Sequence, residues 1–268
     1  MDAIIEKLWR NYLHITPTVK KVKNTLQLEN YDSFCDHISL RTLCTSQLGI
    51  TKRIAGDFGI EKLSEKFLLQ GYTMRQEYTF KKKNLKAIHL EKENAPKIFI
   101  SELLLDKCSI FLKNTLLKAF DTCKHEEDIL TKGRCWKVNY KVYKELERES
   151  EYAAWLYVHG HRVDHFTINV NQLEKYSIEE VCMQLKTSGI HLNNSGGIIK
   201  GTKSIGLKQA STLADRILVK FEDLKDTIRI PSCYVEFAER FKINNKKFNG
   251  FIANSADKIF QSTNKKIA

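Results

Sequence analysis

Two short apolar segments each begin with an aspartate followed by a histidine, DHISL at 36–40 and DHFTI at 164–168. His37 and His165 therefore hold equivalent places in two similar strand-like segments. In a third apolar segment, Glu236 lies at the centre of CYVEFAE, where a carboxylate is expensive to bury unless it is paired or bound to a metal. Two imidazoles and one carboxylate are the ligand set of a non-haem Fe(II) site that leaves coordination positions open. These residues predict a metal site formed by His37, His165 and Glu236.

The same residue types leave two other interpretations open. Zinc accepts similar ligands, so ligand type alone does not settle the metal. The run HGHRVDH places His159, His161 and His165 at odd-numbered positions, where one strand would present them on a common face. Gly160 weakens that strand, and no carboxylate accompanies it. The plainest alternative is a set of histidines packed in the core and a glutamate on the surface.

Open positions on a metal suit a 2-oxo acid, which chelates through its carboxylate and keto oxygen and leaves a third position for O2. Arg41 lies four residues after His37 and in a strand points to the same face, where its guanidinium is a candidate catalytic clamp for a substrate carboxylate. Gln209 and Ser211 lie at and just after the end of a Gly/Ser-rich stretch and are candidate substrate-binding residues. An ordinary place at a loop end or strand start explains those two residues equally well.

The elements around the two histidines occur in the same order twice. His37 is in a strand followed by a helix that ends at Gly71 and three more strands, and His165 is in a similar series with Gly189. Such self-similarity predicts two βαβββ repeats in a single α+β catalytic domain. We expect their strands to form one curved, half-open sheet around the metal. The predicted boundaries are about 34–104 for repeat one, about 105–160 for a helical connector, about 161–240 for repeat two and 241–268 for a C-terminal capping segment.

Four finer expectations follow from the local patterns. Residues 2–28 have the apolar spacing of a helix, and residues 193–209 read as a long Gly/Ser-rich loop. Strand-like runs of repeat two are expected around 190–192, 213–222 and 232–238. Glu102 is expected to be the counterpart of Glu236, because each glutamate lies on the last strand of its repeat.

Three motifs in combination resemble a known family. DHISLRT, VDHFTINVN and YVEFAERF followed by FNGFIANSADKIFQST are similar to the 2-oxoadipate dioxygenase/decarboxylase family of the vicinal oxygen chelate superfamily, whose units are βαβββ repeats. The resemblance runs from about residue 30 to 265. It implies an Fe(II) enzyme that converts 2-oxoadipate and O2 to 2-hydroxyglutarate and CO2 in lysine breakdown. It also implies that His37, His165 and Glu236 bind the metal, and that Arg41 has a role similar to that of a substrate-carboxylate clamp.

Two other classes of function are compatible with parts of the sequence. The 268 residues include 44 Lys and Arg against 32 Asp and Glu, a net charge of +12 that would suit a nucleic-acid-binding protein. Acidic residues are interspersed among the lysine clusters and no known nucleic-acid motif appears, so no nucleic-acid partner is expected. Within the enzymes, the same scaffold suits a glyoxalase-type Zn or Ni isomerase or lyase, with Glu102 as a fourth ligand.

Composition and the N-terminal segment bear on location and redox state. With 42% hydrophobic residues and 12 Gly the chain is globular in composition, and it has no apolar run as long as a membrane span. The N-terminal segment lacks the basic-then-apolar layout of a secretory signal. Seven cysteines without a CxxC pair predict reduced thiols. We therefore expect a cytoplasmic protein without a membrane partner; the sequence leaves its oligomeric state open.

Overall fold

The computed structural model describes residues 3–28, 34–44, 58–123 and 129–252. Its centre is a curled half-barrel sheet of eight strands: β1 (Cys35–Cys44), β2 (Thr73–Phe80), β3 (Leu85–Glu91), β4 (Lys97–Leu104), β5 (Val163–Asn169), β6 (Lys200–Thr202), β7 (Leu207–Ser211) and β10 (Tyr234–Arg240). They lie side by side in the order β2-β3-β4-β1-β5-β10-β7-β6.

The sheet is built from two halves with the same strand order. In repeat one, β1 pairs in parallel with β4, and in repeat two β5 pairs in parallel with β10. The antiparallel pairing of β1 with β5 joins the halves and places His37 opposite Thr167 and Ser39 opposite His165. Because directly paired residues share a face of a sheet, this seam brings the two predicted histidine ligands onto neighbouring strands.

Repeat two differs from the predicted strand pattern. Strands β6 and β7 lie largely inside the segment 193–209, which was expected to be a loop. The Gly-rich composition has a packing reason here: Gly201 has a φ of +83°, and a Cβ atom at this position would lie 2.1 Å from the Leu207 carbonyl oxygen. The run 213–222 contributes β8 (Arg216–Lys220), which pairs with β9 (Thr227–Pro231) in a separate hairpin outside the main sheet.

Helices cover the sheet and join its halves. The predicted helix over residues 2–28 is two helices, because the chain turns at Thr16 and Pro17. The helices that follow the first strand of each repeat are succeeded by Gly71 and Gly189, as predicted. The described helices are α1 (Ala3–Ile15), α2 (Thr18–Leu26), α3 (Gly59–Leu68), α4 (Ile110–Asp121), α5 (Ile129–Lys132), α6 (Tyr140–Glu149), α7 (Glu151–His159) and α8 (Ile178–Thr187).

The connector between the repeats is helical, and its last helix is part of the core. From Tyr152 to His159 every side chain of α7 is buried. The Tyr152 hydroxyl donates to the Ser101 carbonyl oxygen at 2.7 Å, and the Trp155 indole donates to the Ser232 carbonyl oxygen at 2.8 Å. Helix α7 thus binds β4 of repeat one and the residue pair that precedes β10 of repeat two. None of the helices in the described ranges is both long and apolar enough to cross a membrane.

The prediction of reduced thiols is wrong for one pair of cysteines. Cys123, shortly after α4, and Cys135, after α5, form a disulfide with their Cα atoms 5.6 Å apart. The spacing of the cysteines in the sequence does not reveal that these two positions lie close together. The other cysteines in the described ranges form no disulfide with one another: Cys35, Cys44, Cys108, Cys182 and Cys233.

Candidate metal centre

Three side chains from three adjacent strands converge at the middle of the sheet. His37 on β1, His165 on β5 and Glu236 on β10 offer ligand atoms that all lie within 4.8 Å of one another. The two histidine Nε2 atoms are 3.4 Å apart, and each lies 3.5 Å from an oxygen of Glu236. The side chains are between 2% and 4% exposed. The structure thus brings together the three predicted ligands in a site shielded from bulk water.

The hydrogen bonds of the two histidines determine which ring nitrogen carries the proton. His37 Nδ1 lies 2.8 Å from Asp36, and His165 Nδ1 lies 3.0 Å from Asp164. A carboxylate only accepts, so each Nδ1 is the donor, and in this tautomer the lone pair of each Nε2 points inward. Two lone pairs and a carboxylate therefore face one another at about 3.5 Å, an arrangement that a cation between them stabilises.

A buried arginine holds Asp36 in place. Arg240, on β10, donates to both oxygens of Asp36 at 2.7 and 2.8 Å, and it is 3% exposed. Burial alone would raise the pKa of Asp36, but Arg240 and His37 hold that pKa well below its ordinary value. Burial lowers the pKa of His37 despite its contact with Asp36. The neutral ring and its ionised partner are the states that ligation of a metal requires.

Asp164 has a corresponding partner in the other repeat. Arg41, on β1, lies 2.7 Å from Asp164, and its guanidinium sits 5.0 Å from the centre of the Tyr152 ring and 4.8 Å from that of Trp155. Burial would raise the pKa of Asp164, yet Arg41 and His165 together lower it. Each Asp–His pair is therefore secured by an arginine from the opposite repeat.

Arg41 is therefore part of the site, but it contacts the ligand His165 only through Asp164. Its observed contacts support Asp164, which in turn orients His165. The role of Arg41 as a clamp for a substrate carboxylate is tested by none of these contacts and stays a prediction.

The other two predicted substrate-binding residues line the repeat-two side of the centre. Gln209 donates to Glu236 at 2.7 Å, and Ser211 pairs with Glu236 across β7 and β10. Gln209 Oε1 and the hydroxyls of Ser211 and Ser39 are buried, and none of them has a hydrogen-bond partner among the residues that the structure describes. Buried polar atoms of this kind are normally satisfied, so they are suited to a polar ligand. Substrate binding by Gln209 and Ser211 remains a prediction.

Glu102 is not the counterpart of Glu236. Across β1 and β4, Ser39 pairs with Phe99, whereas across β5 and β10 the equivalent Thr167 pairs with Glu236. The residue of repeat one that corresponds to Glu236 is therefore Phe99. Glu102 lies three residues further on, faces the other side of the sheet and accepts a hydrogen bond from the backbone N–H of Ile60 at 3.0 Å. It does not join the metal centre, and burial raises its pKa.

His159 and His161 are structural residues. His159 Nε2 lies 2.9 Å from the Pro231 carbonyl oxygen, and His161 Nε2 lies 2.9 Å from the Thr42 hydroxyl. Burial lowers the pKa of each to about 3, so both rings are neutral at physiological pH. Neither residue takes part in the group of potential metal ligands that the described residues form, which removes the HxHxxxH alternative.

Sequence reasoning missed three parts of the site. Asp36 and Asp164 were noticed only as the residues before the histidines, although an acid next to a ligand histidine is a typical orienting partner. Arg240 gave no signal, because it is 204 residues from Asp36. Phe251, whose ring centre lies 4.7 Å from that of His37, gave none either.

The donor set fits a divalent metal with open coordination positions. Three ligands of the types His, His and Glu suit Fe(II), and zinc and nickel accept them as well. The inward lone pairs and the orienting aspartates are the features of this structure that favour a metal.

Comparison with known proteins places this geometry in context. A family model described as 2-oxoadipate dioxygenase/decarboxylase matches residues 127–247. The chloroplastic 2-oxoadipate dioxygenase/decarboxylase of Arabidopsis thaliana is 33% identical in an alignment of 295 positions that covers 97% of this chain and 76% of that protein. The counterpart of Oryza sativa subsp. japonica, described as chloroplastic/amyloplastic, is 34% identical over 97% of this chain and 78% of that protein.

Solved structures agree with these relatives. The hydroxyglutarate synthase of Oryza sativa in complex with 2-oxoadipate superposes with a TM-score of 0.84 at 32% identity, covering 97% of this chain and 91% of that one. A glyoxalase-superfamily protein of Ralstonia eutropha has a TM-score of 0.75 at 16% identity, over 93% and 84% of the two chains. The second likeness bears on the fold alone and confirms the predicted fold class.

Proposed function

The chain belongs to the 2-oxoadipate dioxygenase/decarboxylase family, and we propose that it is a non-haem Fe(II) enzyme that converts 2-oxoadipate and O2 to 2-hydroxyglutarate and CO2. The observation that carries the proposal is the convergence of His37, His165 and Glu236 on one point, with aspartates directing both Nε2 atoms inward. The solved relative that contains 2-oxoadipate supports the substrate class.

The chemistry of the reaction suits a site that binds one organic substrate. The six-carbon acid and O2 together contain every atom of the five-carbon hydroxy acid and CO2, so no second organic substrate is required. An Fe(II) ion at the triad would supply the activation of O2 beside a chelated 2-oxo acid. His37, His165 and Glu236 would hold that ion.

The protein's own contribution is positioning and exclusion of water. Asp36 and Asp164 keep the proton on Nδ1 of each ligand histidine, which leaves Nε2 available for the metal. Burial of the triad keeps bulk water from the reacting atoms. Arg41 is proposed to bind a carboxylate of the substrate, and Gln209 and Ser211 are proposed to contact its polar groups from the repeat-two side.

Reconstitution with metal under anaerobic conditions tests the proposal. Protein loaded with Fe(II) and then exposed to O2 should consume one O2 and release one CO2 per 2-oxoadipate, and it should do less with shorter or monocarboxylic 2-oxo acids. His37→Ala protein and Zn-loaded protein are the matched controls and should consume no O2. Absence of O2 uptake with every 2-oxo acid in the wild-type protein would refute the function.

The glyoxalase-type isomerase or lyase loses its specific support, because Glu102 does not reach the metal centre. Turnover without O2 would revive it. We retain three further predictions for experiment: a cytoplasmic location, no nucleic-acid partner and no membrane partner.

A further inference from the structure

The two repeats present different side chains toward the metal at one matched position. Repeat two has Glu236 there, whereas repeat one has the apolar Phe99. The concave face on the repeat-one side continues with Tyr78 and His89, which lie on the next strands of the sheet. This half therefore offers the centre aromatic surface in place of a further ligand.

A residue from beyond the sheet completes that aromatic surface. After β11 (Lys242–Ile243) and β12 (Lys246–Lys247), the chain places Phe251 against it. The ring centre of Phe251 lies 4.7 Å from that of His37, 4.9 Å from that of Phe99 and 5.3 Å from that of His89. Phe251 is 8% exposed. Its ring thus occupies the space directly beside a metal ligand.

Hydrogen bonds on both sides of the ring hold Phe251 in position. The backbone N–H of Phe251 donates to the Tyr78 hydroxyl at 3.1 Å. Arg240 donates from Nη1 to the carbonyl oxygens of Phe248 and Gly250 at 3.3 and 2.8 Å, and its guanidinium carbon lies 5.2 Å from the centre of the Phe251 ring. The arginine that fixes Asp36 therefore also fixes the segment that carries Phe251.

The opposite side of the metal centre is polar. The Thr167 hydroxyl lies 3.0 Å from His37 Nε2, and Gln209 and Ser211 each contribute a buried polar atom that has no hydrogen-bond partner among the described residues. A ligand with several oxygen atoms would satisfy those atoms, whereas the rings of Phe99 and Phe251 offer it no hydrogen bond.

We propose that Phe251 is a specificity-determining residue that walls off the repeat-one side of the metal. A carboxylate ligand must then extend toward the polar repeat-two side, and a bulky group next to its chelating atoms is excluded by the ring. The inference rests on the proposed function in one respect: the natural ligand is taken to be a 2-oxo acid. The wall itself is a property of the metal centre, so it can be measured with simple carboxylates.

The test compares the binding of a small and a bulky carboxylate to Co(II)-loaded protein, followed by the visible absorption bands of the ion. Wild-type protein should bind acetate more tightly than benzoate. In Phe251→Ala the ratio of benzoate to acetate affinity should rise by at least about 10-fold, since space for even one extra methylene changes affinity by 10-fold or more. Phe251→Leu should give a smaller increase.

The matched control is Phe67→Ala. Phe67 is fully buried in α3 and packs on Tyr72, so it tests for loss of packing away from the metal. Its affinity ratio should equal that of the wild type. Thermal unfolding of each variant shows whether it folds, and Phe251→Leu keeps the test available if Phe251→Ala does not.

Three results would contradict the proposed role of Phe251: an unchanged affinity ratio in both Phe251 variants, an equal change in Phe67→Ala, or loss of Co(II) from Phe251→Leu. The last result would mean that the ring helps to hold His37.

O2 uptake by Fe(II)-loaded protein separates this inference from the proposed function. If the ratio shifts but no 2-oxo acid supports O2 uptake, the wall stands and the function fails. If 2-oxoadipate is consumed and the ratio is constant, the function stands and the wall fails. Wild-type protein that binds no Co(II) would contradict both.

Discussion

Repeat one and repeat two have the same strand order, but they contribute unequally to the metal centre. Both begin with an Asp-His pair in which the aspartate orients the histidine. They differ one strand away, where Glu236 of repeat two corresponds to Phe99 of repeat one. A symmetric pair of repeats would surround the ion with four ligands. With an aromatic residue in place of one of them, three protein ligands remain, and a divalent metal bound by three ligands keeps further coordination positions for other ligands.

The two repeats also support each other through crossed ion pairs, which differ in their surroundings. Arg240 of repeat two donates to both oxygens of Asp36, and a bidentate guanidinium–carboxylate pair of this kind constrains geometry. Arg41 of repeat one lies 2.7 Å from Asp164, and its guanidinium packs against two aromatic rings of the connector helix α7. The two Asp–His pairs are thus held by arginines that connect them to different parts of the molecule.

The largest effect is expected from a substitution at the position where the two repeats differ, Glu236 in repeat two and Phe99 in repeat one. Glu236→Ala should lower metal affinity by more than about 100-fold and abolish activity, because removing a ligand exceeds the 10- to 100-fold cost of losing an outer partner. Phe99→Ala is the matched change in repeat one and should keep the metal, although it should destabilise the fold by about 3–5 kcal/mol. Metal analysis of the purified proteins checks both. Equal metal content in the two variants would contradict the assignment of Glu236.

The second prediction concerns the ion pair between Arg240 and Asp36. Arg240→Ala leaves Asp36 buried without its cation, so the free energy of unfolding should fall by about 3–5 kcal/mol. Arg240→Lys should recover only part of it, because an ammonium group cannot make the two parallel hydrogen bonds. Urea unfolding measures the change. A loss below about 1 kcal/mol, the level typical of an exposed pair, would show that the pair is not buried in solution.

The third prediction concerns Arg41, which contacts Asp164 and is also proposed to bind a carboxylate of the substrate. Arg41→Ala should raise KM for 2-oxoadipate by about 10- to 150-fold, the equivalent of about 1.5–3 kcal/mol for a lost charge-assisted contact. Metal content should stay near that of the wild type. Steady-state kinetics with metal analysis separates the roles. If the metal is lost and KM for the residual activity is unchanged, Arg41 acts only through Asp164 and His165.

The smallest effect concerns the seam between the repeats, where His161 Nε2 meets the Thr42 hydroxyl. The folded pKa of His161 is lowered to about 3 by burial, below the ordinary value of about 6.5. Between these two pKa values, the unfolded chain therefore binds a proton at His161 that the folded chain does not bind. The stability that this neutral histidine contributes is complete above about pH 6.5 and is lost as the pH falls toward 3, by at most about 1.4 kcal/mol per pH unit.

Replacing His161 by Gln keeps a hydrogen bond to Thr42 and removes this proton. Urea unfolding between pH 7 and pH 5 should then show a shallower decline in stability than in the wild type. That range lies above the pH at which Asp36 and Asp164, with their lowered pKa values, would begin to contribute. Identical slopes would mean that His161 does not stay neutral in the folded protein.

The sequence by itself was sufficient to predict the fold class and to select the three candidate ligands. The duplicated Asp-His pair and the helix-ending glycines report local structure, and a lone carboxylate in an apolar strand is costly enough to indicate a partner. Such signals lie within a few residues of one another, so they can be recognised without the fold. The long Gly/Ser-rich segment was less informative, because strands as short as β6 leave almost no alternating pattern.

The tertiary structure alone decided register and partnership. Alternation along a strand tells which residues share a face but not which residue of the neighbouring strand lies opposite, and a difference of three residues separates Phe99 from Glu102. The Arg240–Asp36 pair and the contact of Phe251 with His37 join residues more than 200 positions apart. Their geometry depends on the curl of the whole sheet, because only that curl brings the end of the described chain over its first strand.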